Sequence, residues 1–220
     1  MNKFTKISAA VIASLALANL ANAATPGAYM GLGLGASRAE TPNSYMFSLD
    51  NAFTGTNQRQ YGGLGGKVFA GYNFNRYVGL EASYATYAKS SYKATADGDS
   101  ASLKYALSAF NLVGKAYLPF DDSGFNAYVL GGLSDVRNKV SYSNAGVDLA
   151  DGITANFKPG THTYSSIRPV YGVGMSYDIA QHVTTGLEFS HIQGKGNVKT
   201  SAGAIPSADL LTLNIGYLFN

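Results

Sequence analysis

The chain has 220 residues, of which 46% are hydrophobic and 13% charged, with 26 Gly, 16 Tyr, no Trp and no Cys. That length suits one domain. A charged fraction near half the usual quarter excludes both a disordered chain and the hydrated surface of an ordinary soluble enzyme. The absence of cysteine excludes disulfide frameworks, thiolate metal sites, cysteine nucleophiles and a lipid-modified N-terminal cysteine.

Residues 1–23 read as an export signal. Lys3 and Lys6 precede an apolar run over residues 7–20, and Ala21-Asn22-Ala23 supplies the small-x-small pattern a signal peptidase cleaves. The expected mature chain is 24–220, one domain. Removing the two signal lysines leaves it close to neutral, so the sequence pI of 8.9 points to no nucleic-acid partner. After Ala23 no apolar stretch is long enough for a transmembrane helix.

The mature chain alternates instead, with the period of a strand. The first segment sets Met30, Leu32, Leu34 and Ala36 against Tyr29, Gly31, Gly33, Gly35 and Ser37. The second sets Leu64, Val68, Ala70, Tyr72 and Phe74 against Gly65, Lys67, Phe69 and Asn73, and the third sets Val78, Leu80, Ala82 and Tyr84 against Glu81 and Ser83. A fourth places Phe110, Leu112, Ala116 and Leu118 opposite Asn111 and Lys115. The fifth, over 125–136, admits either phase, and Asp135 inward with Leu133 outward cannot both be satisfied without a bulge. The sixth sets Tyr171, Val173, Met175, Tyr177 and Ile179 against Gly172, Gly174 and Ser176. In the seventh Val183, Leu187 and Phe189 oppose Gly186, Glu188 and Ser190, and in the eighth Leu211, Leu213, Ile215, Tyr217 and Phe219 oppose Thr212, Asn214 and Gly216.

The apolar phase of seven of these segments carries no charge, whereas Lys67, Glu81, Lys115 and Glu188 all fall on the other. A soluble sandwich would bury the apolar phase and load the other with Lys and Glu. Here the second phase is mostly Gly, Ser, Thr and Asn, which suits a crowded interior. Alternating strands cross a bilayer only when closed, because unpaired backbone groups in hydrocarbon cost several kcal/mol each. The expected fold is an all-β, eight-stranded antiparallel up-and-down transmembrane β-barrel in the bacterial outer membrane, monomeric and surrounded by outer-membrane lipid and lipopolysaccharide. Tyr72, Phe74, Phe120, Tyr177, Tyr217 and Phe219 near strand ends form the expected aromatic girdle. Three short connections alternate with long ones at 38–60, 87–102, 137–166 and 193–208, the asymmetry of periplasmic turns and surface loops.

The run Gly71-Tyr72-Asn73-Phe74-Asn75-Arg76-Tyr77-Val78-Gly79-Leu80-Glu81, the strand end Leu112-Val113-Gly114-Lys115-Ala116-Tyr117-Leu118-Pro119, and Gly186-Leu187-Glu188-Phe189 resemble the transmembrane domain of the outer-membrane protein A (OmpA-like) family over essentially the whole mature chain. The terminal segment carrying Asn214, Gly216, Tyr217 and Phe219 resembles the signal read by the barrel-assembly machinery, with Asn220 following the usual last Phe. The sequence departs from the family in lacking the peptidoglycan-binding domain of its longer members and in having Gly186 where the family can carry a lumen arginine. The resemblance implies a structural membrane role, with long loops that in related small barrels mediate adhesion to, or entry into, host cells.

Lys67, Glu81, Lys115 and Glu188 lie at similar distances from the short turns and are expected to meet in the lumen as paired charges; a structural network outweighs an ion path or gate, since unpaired buried charge is costly. The Gly-rich stretch 62–67 lacks the Ser/Thr and the following helix of a phosphate loop, and His162 and His182 have no ligand spacing, so neither a cofactor nor a metal is expected. His191 with Glu188 and Ser190 suggests a lipid hydrolase, but alternation puts His191 on the opposite face from both, and no catalytic residue is assigned. Loop three supplies the expected recognition residues Lys139, Tyr142, Phe157, Lys158 and Tyr164, aromatic anchors mixed with charge that suit a host-cell receptor. Basic residues at this level also suit lipopolysaccharide phosphates, and a narrow channel and a hydrolase are the rival functions.

Overall fold

A computed structural model describes residues 26–40, 57–60, 62–96, 99–120, 123–143, 146–148, 154–156, 160–196 and 204–219. Eight long strands close on themselves: β1 (Gly27–Ala39), β3 (Gly63–Asn73), β4 (Val78–Thr86), β6 (Asp99–Pro119), β7 (Phe125–Ser143), β10 (Gly160–Ala180), β11 (Val183–Ile192) and β12 (Ala208–Phe219). Each pairs antiparallel with the next, and β12 returns to β1 through a register running from Ala28 opposite Phe219 to Ala39 opposite Ala208. Closure leaves the membrane-spanning part without an edge, the condition hydrocarbon imposes on strands. Short additional strands lie beyond the barrel: β2 (Asn57–Gln60) on β5 (Ser90–Ala96), which pairs with the start of β6, and the hairpin of β8 (Gly146–Asp148) with β9 (Thr154–Asn156).

The short turns are specified locally. Asn75 turns its Oδ1 back to accept the backbone N–H groups of Tyr77 and Val78 at 2.8 and 2.9 Å, and Phe74 N–H donates to Val78 O, closing β3 onto β4. Between β6 and β7 Gly124 takes a φ of 75°, which disfavours any residue with a Cβ.

The apolar phase faces outward throughout. Met30, Leu32 and Leu34 on β1, Leu112 on β6, Val129 and Leu133 on β7, Val173 on β10 and Leu211, Leu213 and Ile215 on β12 are exposed, while their sequence neighbours point into the barrel. The outward run from Leu211 to Phe219 covers about 27 Å along the strand and, at the usual tilt, about 20 Å of height, close to the ~25 Å apolar band of such barrels. At the short-turn end Tyr72, Phe74, Phe120, Tyr217 and Phe219 are exposed outward and Tyr177 is partly covered, with Tyr72 against Phe74 and Tyr217 against Phe219 at 5.5 and 5.1 Å between ring centroids.

The phase of the fifth segment, open in the sequence, is fixed here, and two expectations need correction. The fifth segment has no bulge: β7 keeps a continuous register with both neighbours, and Leu133 and Asp135 both point outward, because at Asp135 the strand has left the apolar band and the outward side chain pairs with Arg137 at 3.5 Å. The irregularity lies instead near a short turn, between Asp178 and Ala180 of β10. The connections at 87–102 and 137–166 are largely strand: β5 pairs with the start of β6, while β7 continues to Ser143 and β10 begins at Gly160. Their alternation was weak because, above the membrane, the outward phase turns polar while the inward phase mixes polar Asn138 with apolar Val140. Finally, the inward phase is polar only in the half nearer the short turns. Toward the long-loop end it becomes an apolar core of Leu107, Val136, Val170, Ile192 and Leu210, to which residues 204–207, expected as loop, contribute the buried Ile205. Lys195 and Ile205 exchange backbone hydrogen bonds at 2.8 and 3.1 Å, folding this segment over the barrel mouth.

Candidate functional site

The half of the lumen nearer the short turns holds the four charged residues singled out by alternation, each placed inward by a different strand: Lys67 by β3, Glu81 by β4, Lys115 by β6 and Glu188 by β11. They meet as a ring of alternating sign. Lys67 Nζ lies 3.1 Å from Glu81 Oε1 and 2.6 Å from Glu188 Oε1; Lys115 Nζ contacts Glu81 Oε2 and lies 3.4 Å from Glu188 Oε2. All four are buried, Glu81 to 1% exposure. Each carboxylate also accepts from a tyrosine, Glu81 from Tyr29 at 3.1 Å and Glu188 from Tyr128 at 2.9 Å. The ammonium groups lie over aromatic faces, Lys67 over Phe69 at 4.8 Å and Lys115 over Tyr128 at 4.7 Å. Two cations and two anions cancel, so the ring has no net charge to attract an ion.

Glycine makes room for the rings that complete this layer. A Cβ on Gly71 would stand 2.5 Å from the Tyr29 hydroxyl end, and one on Gly174 would stand 2.4 Å from Tyr128 Cζ. Sequence reasoning missed Tyr29 and Tyr128 as members of the site; the signal was an aromatic on the small-residue phase paired with a glycine on the neighbouring strand. Toward the short turns lies a cavity of about 70 Å³ lined by Tyr29, Asn126, Tyr128, Ser176, Gly186 and Asn214 among others, large enough for a few waters. Above the ring the lumen is filled by the apolar core and covered by Ile205.

The residues expected to mediate recognition are dispersed. Lys139 is exposed on β7, outward, and Tyr142 lies farther along the same strand opposite Leu103 of β6 and Gly160 of β10. Phe157 and Lys158 fall outside the described residues. Tyr164 is corrected: it sits on the inward phase of β10 and packs against the buried apolar core, so it is not a free loop anchor. Arg168 donates from Nε to Gln193 O at 2.9 Å and from its terminal nitrogen to Gly194 O at 2.5 Å, holding the last long connection against β10. His191 points outward, as alternation required, with its Nδ1 2.6 Å from Asp209 Oδ1 on the neighbouring strand and its ring 5.2 Å from Tyr171. Of the terminal residues, Asn214 and Gly216 face the lumen, while Tyr217 stacks on His182 at 5.6 Å and Phe219 faces outward.

An edgeless eight-stranded barrel, apolar outside and charged within, is an integral outer-membrane protein. The family model of the outer membrane protein beta-barrel domain matches residues 7–219, and the chain belongs to that family, of the OmpA-like type. A Coxiella burnetii protein of uncharacterized role is 28% identical over 180 residues, covering 74% of this chain and 71% of the relative. Outer membrane protein A of Serratia marcescens is 26% identical over 80% of this chain and 44% of its own length, so the chain spans less than half of that relative. Among solved structures, Neisserial surface protein A aligns over 88% of this chain and 97% of its own with TM-score 0.54 and 18% identity. Ail, the attachment invasion locus protein of Yersinia pestis, aligns over 89% and 99% with TM-score 0.51 and 14% identity, in a complex with the heparin analogue sucrose octasulfate. Both structural similarities show the fold.

Proposed function

We propose that this protein is a structural outer-membrane barrel whose extended strands beyond the bilayer recognise other surfaces, including those of host cells. The observation that carries this reading is the projection of β6, β7 and β10 past the apolar band: β7 continues eight residues beyond Asp135 to Ser143, paired on both sides, about 27 Å of ordered sheet that membrane anchoring does not need. The attachment role in the name of the structurally similar Ail supports it. Residues 1–23 serve as the export leader, and Asn214, Gly216, Tyr217 and Phe219 serve as the signal for the barrel-assembly machinery.

In this reading the lumen ring is structural. Charges that satisfy one another, beneath an apolar core and a folded-over segment, favour a closed barrel over a channel. A lipid hydrolase is disfavoured because His191 engages Asp209 on the lipid-facing side while Ser190 belongs to the inward phase.

Shortening 138–165 to a tight turn tests the recognition role. The variant should keep its heat-dependent gel mobility, since strand closure survives, and lose most attachment of expressing bacteria to cultured host cells. Undiminished attachment with a folded barrel would overturn the assignment to this extension.

A further inference from the structure

The outward phase of β6 and β7 does not end where the apolar band ends. On it, in register, Leu112 faces Leu133, Phe110 faces Asp135, Ser108 faces Arg137, Ala106 faces Lys139, and Lys104 faces Ser141. Leu133, Phe110 and Leu112 are 59%, 53% and 49% exposed, and directly above them Arg137, Lys139 and Lys104 are exposed on the same face. Asp135 is the one acid on this stretch and is held by Arg137 at 3.5 Å, leaving the stripe about two charges positive. The arc across the barrel differs: there Arg38 of β1 faces Asp209 of β12, which is engaged by His191, and Glu40 follows, so the described residues of that side carry no cationic excess.

We propose that the stripe Arg137–Lys139–Lys104 is a binding site for a phosphorylated glycolipid of the outer leaflet, its acyl chains on Leu112, Leu133 and Phe110 and its anionic groups on the three cations. The inference rests on the outer-membrane placement and goes beyond it. A single unbroken face that is apolar below and cationic above fits an amphiphile of the same order, acyl chains beneath anionic groups. The vertical spread selects among amphiphiles. Arg137 lies four residues and Lys139 six residues beyond Leu133, and Lys104 stands level with position 141. At about 3.4 Å per residue and the usual strand tilt, the cations are distributed over about 10 Å of height. One phospholipid headgroup occupies a single plane, whereas a saccharide bearing phosphates at several levels meets all three. Each such contact near the membrane surface is worth about a fivefold change in association. Lys139, expected from sequence as a recognition residue, becomes a lipid contact in this assignment.

The intact protein in mild detergent should be mixed with phosphorylated rough lipopolysaccharide, the same lipopolysaccharide dephosphorylated, or a soluble sulfated oligosaccharide, and the bound fraction measured by native mass spectrometry. The phosphorylated lipid should bind at least tenfold more weakly to K104Q/R137Q/K139Q than to the unaltered chain, and about fivefold more weakly to K139Q, which changes one exposed side chain and keeps the proposal testable if the triple variant folds poorly. R38Q on the opposite arc should bind as the unaltered chain does. Equal binding by K139Q and the unaltered chain, or equal binding of the dephosphorylated lipid, overturns the site. Sulfated-oligosaccharide binding lost in these variants while lipid binding persists also overturns it and gives the stripe to surface recognition. A heat-dependent gel shift scores barrel formation separately, so failure of the membrane-barrel reading is distinguishable from failure of the lipid site.

Discussion

Changing Glu81 to Leu should destabilise the folded barrel by about 3 to 5 kcal/mol, the cost of breaking a buried ion pair from one side. Glu81 accepts from Lys67, Lys115 and Tyr29. Without it two buried ammonium groups share Glu188 alone, and the Tyr29 hydroxyl loses its acceptor. The measurement is urea unfolding in lipid vesicles, followed by far-ultraviolet circular dichroism. Pairing the change with Lys67→Met restores the balance of one cation to one anion and should recover a large part of the loss, because removing both members of a pair leaves no uncompensated charge. A single-variant cost below about 1 kcal/mol with no recovery in the double variant would mean the ring does not hold the fold together.

The second large effect is on the outside. Arg at Leu213, 50% exposed in the middle of the outward run of β12, should cost about 2 to 4 kcal/mol, because the guanidinium must enter hydrocarbon or drag water and headgroups inward. Arg at Ser176, which lines the cavity near the short turns, should cost less than half as much. Thr212 is a poor inward control, since at 1% exposure it has no room for a longer side chain. Equal costs at 213 and 176 in the same unfolding assay would contradict the assignment of faces.

The spanning strands were legible because a membrane forces one rule on every one of them: apolar outward, with no charge on that phase. This rule fixed the facing of seven barrel strands, left the phase of the fifth open, and isolated Lys67, Glu81, Lys115 and Glu188 as inward residues. It lost its power where the membrane ends. From Asp135 to Ser143 and from Gly160 to Ile167 the outward side faces water or sugar, and the buried inward side mixes Asn138 with Val136 and Val140, so strand residues such as Lys139 and Tyr164 carry little alternation signal and read as loop. Tyr164 faces inward only because the register fixed near Val170 carries through to it, a constraint set by pairing with β7. The apolar core under Ile205 was hidden for a related reason. Val136, Ile192 and Leu210 sit on the phase read as polar, where apolar residues at the strand ends look like noise until the barrel gathers them. The His191–Asp209 contact joins residues separated by 18 positions and needed the β11–β12 register to be seen.

The central claim is that one phase of every strand touches lipid while the other is enclosed, and the lack of native cysteine makes it directly measurable. Single cysteines at each position from 211 to 217, spin-labelled in the barrel reconstituted in lipid vesicles, report collisions with oxygen, which concentrates in hydrocarbon, and with a polar nickel complex, which does not enter it. Labels at 211, 213, 215 and 217 should show high oxygen and low nickel collision rates, and labels at 212, 214 and 216 low oxygen rates, giving a period of two along β12. A flat oxygen profile, or maxima at the even positions, would contradict the barrel described here.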